Sequence, residues 1–137
     1  MSRLRPAVRV SNVMTRRVRT ATSDTPLEEI LALLREERCH HVPIVDDDRP
    51  VGMISARDVV HLARREEGEQ YVLGMPRSER AGDAMNEDLV TIHQDESVDA
   101  AIERIGRGDI HALVVIDDDD RLAGIVTHND LLHYLID

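Results

Sequence analysis

Two short stretches of this 137-residue chain carry a hydroxyl and a carboxylate three residues apart behind a glycine: Gly52-Met53-Ile54-Ser55-Ala56-Arg57-Asp58 and Gly124-Ile125-Val126-Thr127-His128-Asn129-Asp130. In both, an apolar run turns polar at the hydroxyl, the pattern of a strand that ends where a helix begins. A Ser or Thr followed three residues later by an acid satisfies the first N–H groups of a helix, a cap that contributes about 0.5–2 kcal/mol. The same spacing also suits a ligand. A helix N-terminus presents unpaired N–H groups and a partial positive charge, so a phosphate rests there with Ser55 or Thr127 donating one more hydrogen bond. About one turn on, Asp58 or Asp130 accepts from two adjacent hydroxyls, as a ribose offers. A phosphate donor and a ribose acceptor so placed describe a nucleotide. Capping accounts for the spacing by itself. It does not account for the glycine three residues before each hydroxyl, which opens the backbone to close approach, as a bound ligand requires.

The two stretches belong to a longer repetition. Val13-Met14 recurs as Ala84-Met85, Val18-Arg19-Thr20 as Leu89-Val90-Thr91, Asp24 as Asp95, Leu27 as Val98, Leu34 as Ile105 and Ile44-Val45-Asp46 as Val115-Ile116-Asp117, all at one constant offset. One extra Asp in the second copy then lengthens the offset by a single position, and Gly52, Ser55 and Asp58 recur as Gly124, Thr127 and Asp130.

Each copy predicts the order β-α-β-β-α. A strand near residues 18–21 or 89–92 leads into an amphipathic helix. In the first copy Thr25 caps it, Pro26 suits its first position, Glu28 completes a capping box, and Leu27, Ile30, Leu31 and Leu34 share one face. In the second, Ser97 caps and Val98, Ala101, Ile102 and Ile105 repeat the stripe until Gly106. A strand at 42–45 or 113–116, an acidic turn at 46–49 or 117–121, a second strand at 51–54 or 122–126 and a closing helix from Ala56 or His128 complete each copy. A copy of about 55 to 60 residues cannot cover both faces of a three-stranded sheet. The expected fold is therefore mixed α/β (α+β), two β-α-β-β-α repeats packed sheet to sheet as one pseudo-two-fold module. The expected boundaries are a basic arm at 1–9, a first repeat at 10–66, a charged connection at 67–80 in which Tyr71-Val72-Leu73 still seeks a packing partner, and a second repeat at 81–137.

Composition narrows the function classes. Hydrophobic residues make up 42% of the chain, but Phe and Trp are absent and Tyr71 and Tyr134 are its only aromatic residues of the Phe, Trp and Tyr class, so a bound base meets aliphatic walls. The single Cys39 forms no internal bridge, no apolar stretch approaches the roughly 18 residues of a membrane span, and the N-terminus lacks the apolar block of a signal peptide. A cytoplasmic protein without membrane attachment is expected. A net charge of −10 argues against a general nucleic-acid binder. The charge is uneven: the stretch from Met1 to Arg19 holds six Arg and no acid, the rest of the chain holds 11 Arg against 27 acids, and no basic residue is Lys. The arm either lies on an acidic protein surface, helps to hold phosphate, or recruits RNA.

Other candidates carry less. Cys39, His40 and His41 enter a strand on alternate faces and do not chelate one ion together. The runs 46–48 and 117–120 lack the spacing and glycine of a calcium loop and read as solvated turns, so magnesium is expected only where ATP brings it. There is no nucleophile elbow, Walker loop or metal-protease pair, and the seven His share no spacing. No catalytic or metal residue is assigned, and the chain reads as a sensor rather than an enzyme.

The doubled pattern resembles a tandem pair of CBS domains, the cystathionine beta-synthase type, also called a Bateman module. The resemblance rests on Val13-Met14-Thr15 with Ala84-Met85, VRTA from Val18 with LVTI from Leu89, HHVPIVD from His40 with HALVVID from His111, and GMISARD with GIVTHND, spanning about residues 10 to 136. It implies that Asp58 and Asp130 hold the ribose hydroxyls of an adenosine ligand such as AMP, ATP or S-adenosylmethionine, and that Ser55 and Thr127 contact its ribose or phosphate. It further implies an adenine held by the opposite repeat, with Ile125, Thr127 and Asp130 working with Cys39, His40 and His41, and Met53, Ser55 and Asp58 with Ile110, His111 and Ala112. Arg57 and His128 either reach phosphate or are solvated. The second copy departs from the pattern at Val114, where the first has Pro43. A homodimer paired through the helices after Ser55 and Thr127 is implied too, signalling to a separate effector, an enzyme or a transporter. The alternative is a ligand-free interaction scaffold whose Ser/Thr-Asp pairs only cap helices.

Overall fold

The computed structural model describes residues 7–36, 40–67, 70–74, 79–108 and 110–136. The chain is mixed α/β and divides into two compact units, one of Arg19–Leu89 and one of Met1–Val18 with Val90–Asp137. Each unit combines the body of one repeat with the short opening segment of the other.

The Arg19–Leu89 unit contains α1 (Leu27–Glu36), β1 (His41–Asp46), β2 (Arg49–Ser55), α2 (Ala56–Ala63), β3 (Arg64–Glu67), β4 (Gln70–Leu73) and α3 (Ala81–Ala84). Strands β1 and β2 are antiparallel, with His41 opposite Ser55 and Asp46 opposite Arg49. Their turn places Asp47 and Asp48 at φ 54° and 66°. Two successive residues in the left-handed region give the mirror-image turn whose twist matches a hairpin, and the short polar Asp side chain tolerates that region better than most. Leu27, Ile30, Val42, Ile44, Ile54 and Ala81 form the core.

Three features differ from the sequence expectation. The strand at 18–21 reduces to one parallel bridge, in which Ala21 donates to the Pro43 carbonyl at 3.2 Å and accepts from Val45 at 2.8 Å. The second repeat shows the cause: there the Val114 N–H donates to Val90 at 3.0 Å, and Pro43, at the matching position, has no N–H to give. Second, the Thr25 hydroxyl does not cap α1. It accepts from the Thr22 N–H at 3.0 Å, and the Leu27 N–H is met by the Glu79 carbonyl at 3.0 Å. Third, the closing helix of the first repeat gives way at Arg64 to a hairpin that runs into the charged connection, β3 and β4 pairing antiparallel from Arg64↔Leu73 to Glu67↔Gln70. Tyr, Val and Leu in succession favour extended chain, and the stretch that follows α2 supplies their partner.

The other unit holds a 3-10 turn (Val10–Asn12), β5 (Thr91–His93), α4 (Val98–Gly106), β6 (Ala112–Ile116), β7 (Leu122–Thr127) and α5 (His128–Ile136). Its sheet has the order β5-β6-β7, with β5 parallel and β7 antiparallel to β6. Ser97 caps α4 as expected, its hydroxyl accepting from the Ala100 N–H at 3.2 Å. Val10, Met14, Ile92, Val98, Ala101, Ile105, Leu113, Val115, Val126 and Leu131 are packed inside. The N-terminal segment is part of this unit: Val10 donates to the Glu96 carbonyl and Val98 to the Val8 carbonyl, both at 2.8 Å, and Arg9 pairs with Asp95 at 3.3 Å on the surface. No helix among the described residues is long and apolar enough to cross a membrane.

Candidate functional site

The Ser55–Asp58 corner lies where β2 becomes α2. Ser55 keeps extended backbone, its hydroxyl oxygen accepts the Asp58 N–H at 3.1 Å, and its own N–H donates to Asp58 Oδ2 at 3.0 Å. This reciprocal cap uses the hydroxyl as an acceptor, so its proton remains for another acceptor. Asp58 Oδ1 makes no hydrogen bond among the described residues. His41 stands opposite Ser55 across the hairpin, and the His40 carbonyl accepts the Ala56 N–H at 3.0 Å. Ser55 and Asp58 are half-buried, and Arg57 is exposed on the first turn of α2.

The Thr127–Asp130 corner has the same residue types and different wiring. The Thr127 N–H donates to Asp130 Oδ2 at 2.9 Å, as at the first corner, but the Thr127 hydroxyl also points at Oδ2, at 3.3 Å. Asp130 Oδ1 accepts from the hydroxyl of Thr15 at 2.8 Å. Ala112 is opposite Thr127 in register. His111 and His128, both exposed, place their rings 6.1 Å apart at the rim of this corner. Ile110 is half-buried, His40 exposed, and Cys39 lies outside the described residues.

Sequence reasoning gave no role to the residues beside the corners, Met14, Thr15, Met85 and Asn86. Thr15 makes a two-way backbone bridge to Ile125 (2.9 and 3.0 Å), and Asn86 makes the same bridge to Met53 (2.9 and 3.0 Å). The main-chain groups of Met53 and Ile125 are therefore in use, leaving only their side chains for a ligand. The preceding methionine fills the space over each glycine. A β-carbon on Gly52 would come 2.7 Å from Met85 Cγ, and one on Gly124 would come 2.5 Å from the Thr15 carbonyl and 3.0 Å from Met14 Sδ. This corrects the reading of these glycines as clearance for a ligand, since the chain itself occupies the space. The signal was present in the recurrence of Val13-Met14 as Ala84-Met85.

Among the described residues, His93, Asp95 and Asp118 gather at the rim of the β5-β6-β7 sheet. His93 Nδ1 accepts the Asp95 N–H at 3.1 Å, so Nε2 bears the proton and donates to Asp118 Oδ1 at 2.7 Å. A ring engaged at both nitrogens has no free lone pair for a cation, and the contact ties a turn down instead. In the same turn Asp117 Oδ1 accepts from the backbone of Arg121 (3.0 Å) and of Asp119 (2.8 Å). These two bonds, Arg121's first, hold its carboxyl below the ordinary value.

A family model described as the CBS domain matches residues 10–65 and 81–137, and the chain belongs to that family. Uncharacterized protein MJ1232 of Methanocaldococcus jannaschii is 28% identical over 127 residues, 93% of this chain and 39% of that protein. The gamma-3 subunit of the human 5'-AMP-activated protein kinase is 28% identical over 112 residues, 81% of this chain and 23% of the subunit. The chain thus spans well under two thirds of the length of these relatives. The CBS domain pair of protein MJ0100, solved in complex with 5'-methylthioadenosine and S-adenosyl-L-methionine, superimposes with a TM-score of 0.76 at 25% identity, covering 95% of this chain and 97% of that one.

Proposed function

We propose that the chain is a regulatory module that binds adenosine-containing ligands at its strand-to-helix corners and passes their occupancy to another protein. One observation carries this. At Ser55–Asp58 the cap uses one oxygen of the carboxylate and only the acceptor side of the hydroxyl. An O–H donor and a carboxylate oxygen are thereby held in fixed geometry at a helix N-terminus, the arrangement a ribose phosphate needs. Support also comes from the MJ0100 pair, which holds two adenosyl compounds, and from likeness to a subunit of a kinase named for activation by AMP. The assignment of His40, His41, Ile110, His111 and Ala112 to the adenine, and of Cys39 beside them, belongs to the same proposal, as does the role of Arg57 and His128 toward phosphate.

Self-association is the second part of the proposal. Helix α5 exposes Leu132, Leu135 and Ile136, and α2 exposes Val60. Exposed apolar side chains on the helices that follow both corners favour a homodimer as the state whose geometry a ligand would bias.

Calorimetry of the chain against AMP, ATP and S-adenosylmethionine tests the reading, with Asp58→Ala and Asp130→Ala measured separately. Heat that is lost or weakened at least tenfold in one or both variants supports it. No heat at millimolar ligand, where the binding free energy is only about −4 kcal/mol, favours a scaffold with capped, empty corners.

A further inference from the structure

Resting on that reading, we infer that the two corners are not equivalent. The Asp58 corner is ready to receive a ribose, whereas the Asp130 corner is latched by Thr15 and fills only as that latch is displaced. An ionised carboxylate offers about four lone-pair sites. At Asp58 one is taken, by the Ser55 N–H. At Asp130 three are taken, by the Thr127 N–H, the Thr127 hydroxyl and the Thr15 hydroxyl. In both corners the backbone N–H bonds Oδ2, which makes the Oδ1 atoms equivalent. That atom has no partner among the described residues at Asp58, while at Asp130 it holds Thr15 at 2.8 Å. A vicinal diol finds open sites on both oxygens of Asp58; at Asp130 the two Thr127 donors fill Oδ2, so the diol turns to Oδ1 and must displace Thr15 there to place both hydroxyls.

The difference traces to one pair of positions. Thr15 and Asn86 occupy equivalent places in the two copies, each directly after the repeated methionine, and make the same backbone bridge, to Ile125 and Met53. Thr15 has a hydroxyl that reaches the carboxylate. Asn86 instead turns its side-chain oxygen back to accept the Asp88 N–H at 3.0 Å. Thr15 is thus a positioning residue whose bond sets the order of filling. Since the Thr15 segment is also bridged to β7 and anchored in the core by its neighbour Met14, filling the Asp130 corner loosens the N-terminal segment, and filling the Asp58 corner does not.

The test titrates the full chain with AMP, and in parallel with S-adenosylmethionine, by calorimetry. Asp58→Ala leaves only the Asp130 corner and Asp130→Ala only the Asp58 corner. Adding Thr15→Val to Asp58→Ala should tighten binding about tenfold, or about 1.4 kcal/mol, because the bond to a charged acceptor no longer competes. Adding it to Asp130→Ala should change nothing, and Thr15→Ser, which keeps the hydroxyl, should behave as the parent. A second measurement needs no variant: in an amide NMR titration of the unaltered chain, Ser55 and Asp58 should shift at lower ligand concentration than Thr127, Asp130 and Thr15. Equal affinity with and without Thr15→Val, or Asp130 shifting first, overturns the latch while leaving ligand binding intact. Silence of both ligands in every chain overturns the binding reading and the latch with it.

Discussion

Met85 lies so close over Gly52 that a β-carbon there would come 2.7 Å from Met85 Cγ, and the second repeat seats Met14 and the Thr15 carbonyl over Gly124 in the same way. Gly52→Ala and Gly124→Ala should therefore lower folding stability by an overpacking cost of about 1–3 kcal/mol. The two should differ. The thioether over Gly52 can swing aside, whereas the obstacle at Gly124 is a backbone carbonyl that also accepts from Ile125 at 3.0 Å. In denaturant unfolding Gly124→Ala should be the costlier, and Met85→Ala should relieve Gly52→Ala in a double-mutant cycle while Met14→Ala leaves most of the Gly124→Ala cost in place. If both glycine variants unfold like the parent, the methionines do not explain the glycines.

The packed elements were legible because apolar period survives in a fold of this kind. The stripe through Val98, Ala101 and Ile105 is buried as written, and β1, β2, β6 and β7 fall on the predicted runs to within two residues. What the sequence hid were choices made by single backbone groups. Pro43 removes one donor and shortens a strand, and Glu79 supplies a carbonyl that makes the Thr25 cap unnecessary. Neither effect has a hydrophobic period. The corners were legible as residue types, but their wiring was not, since Thr15 and Asp130 stand near opposite ends of the chain.

That wiring gives unequal costs for two similar substitutions. The Ser55 hydroxyl accepts a helix N–H, while the Thr127 hydroxyl donates to Asp130. Ser55→Ala should destabilise by about 1 kcal/mol, the typical loss of a cap. Thr127→Val keeps the side-chain volume close to the original and removes only a long bond at 3.3 Å, so its cost should be about half that or less. Thermal unfolding of the two variants checks the order; a costlier Thr127→Val would mean that its hydroxyl caps α5 after all.

Asp117 sets a pH dependence with a definite sign. Backbone donation from Arg121 and Asp119 lowers its carboxyl from the ordinary 3.8. A group lowered in the folded state contributes stability above its unfolded value, and loses it as pH falls through the folded one. Asp117→Asn keeps an acceptor oxygen but no charge. The stability gap between parent and variant should stay constant from neutral pH to about pH 5 and then close as pH falls below 3.8. A gap that does not narrow at all as pH falls below 3.8, read by denaturant midpoints, would show that shape rather than charge holds this turn.

Leu132, Leu135 and Ile136 are exposed by 52, 56 and 69%, while Leu131, at the edge of that group on α5, is 5% exposed. Positions i, i+3 and i+4 share one helical face, so the outward residues form a stripe and not a scatter. Residues this exposed add little to the fold of their own unit, and replacing them on a free surface changes stability by no more than about 0.5 kcal/mol. Burial against a second copy would make each worth about 1.5–3 kcal/mol. Leu135→Glu, a substitution that keeps a good helix former, should then leave the unfolding midpoint of the isolated chain nearly unchanged at dilute concentration. It should also weaken self-association at least tenfold in sedimentation velocity. A variant that sediments like the parent at every concentration would remove α5 from the dimer contact and leave Val60 on α2 as the face to test next.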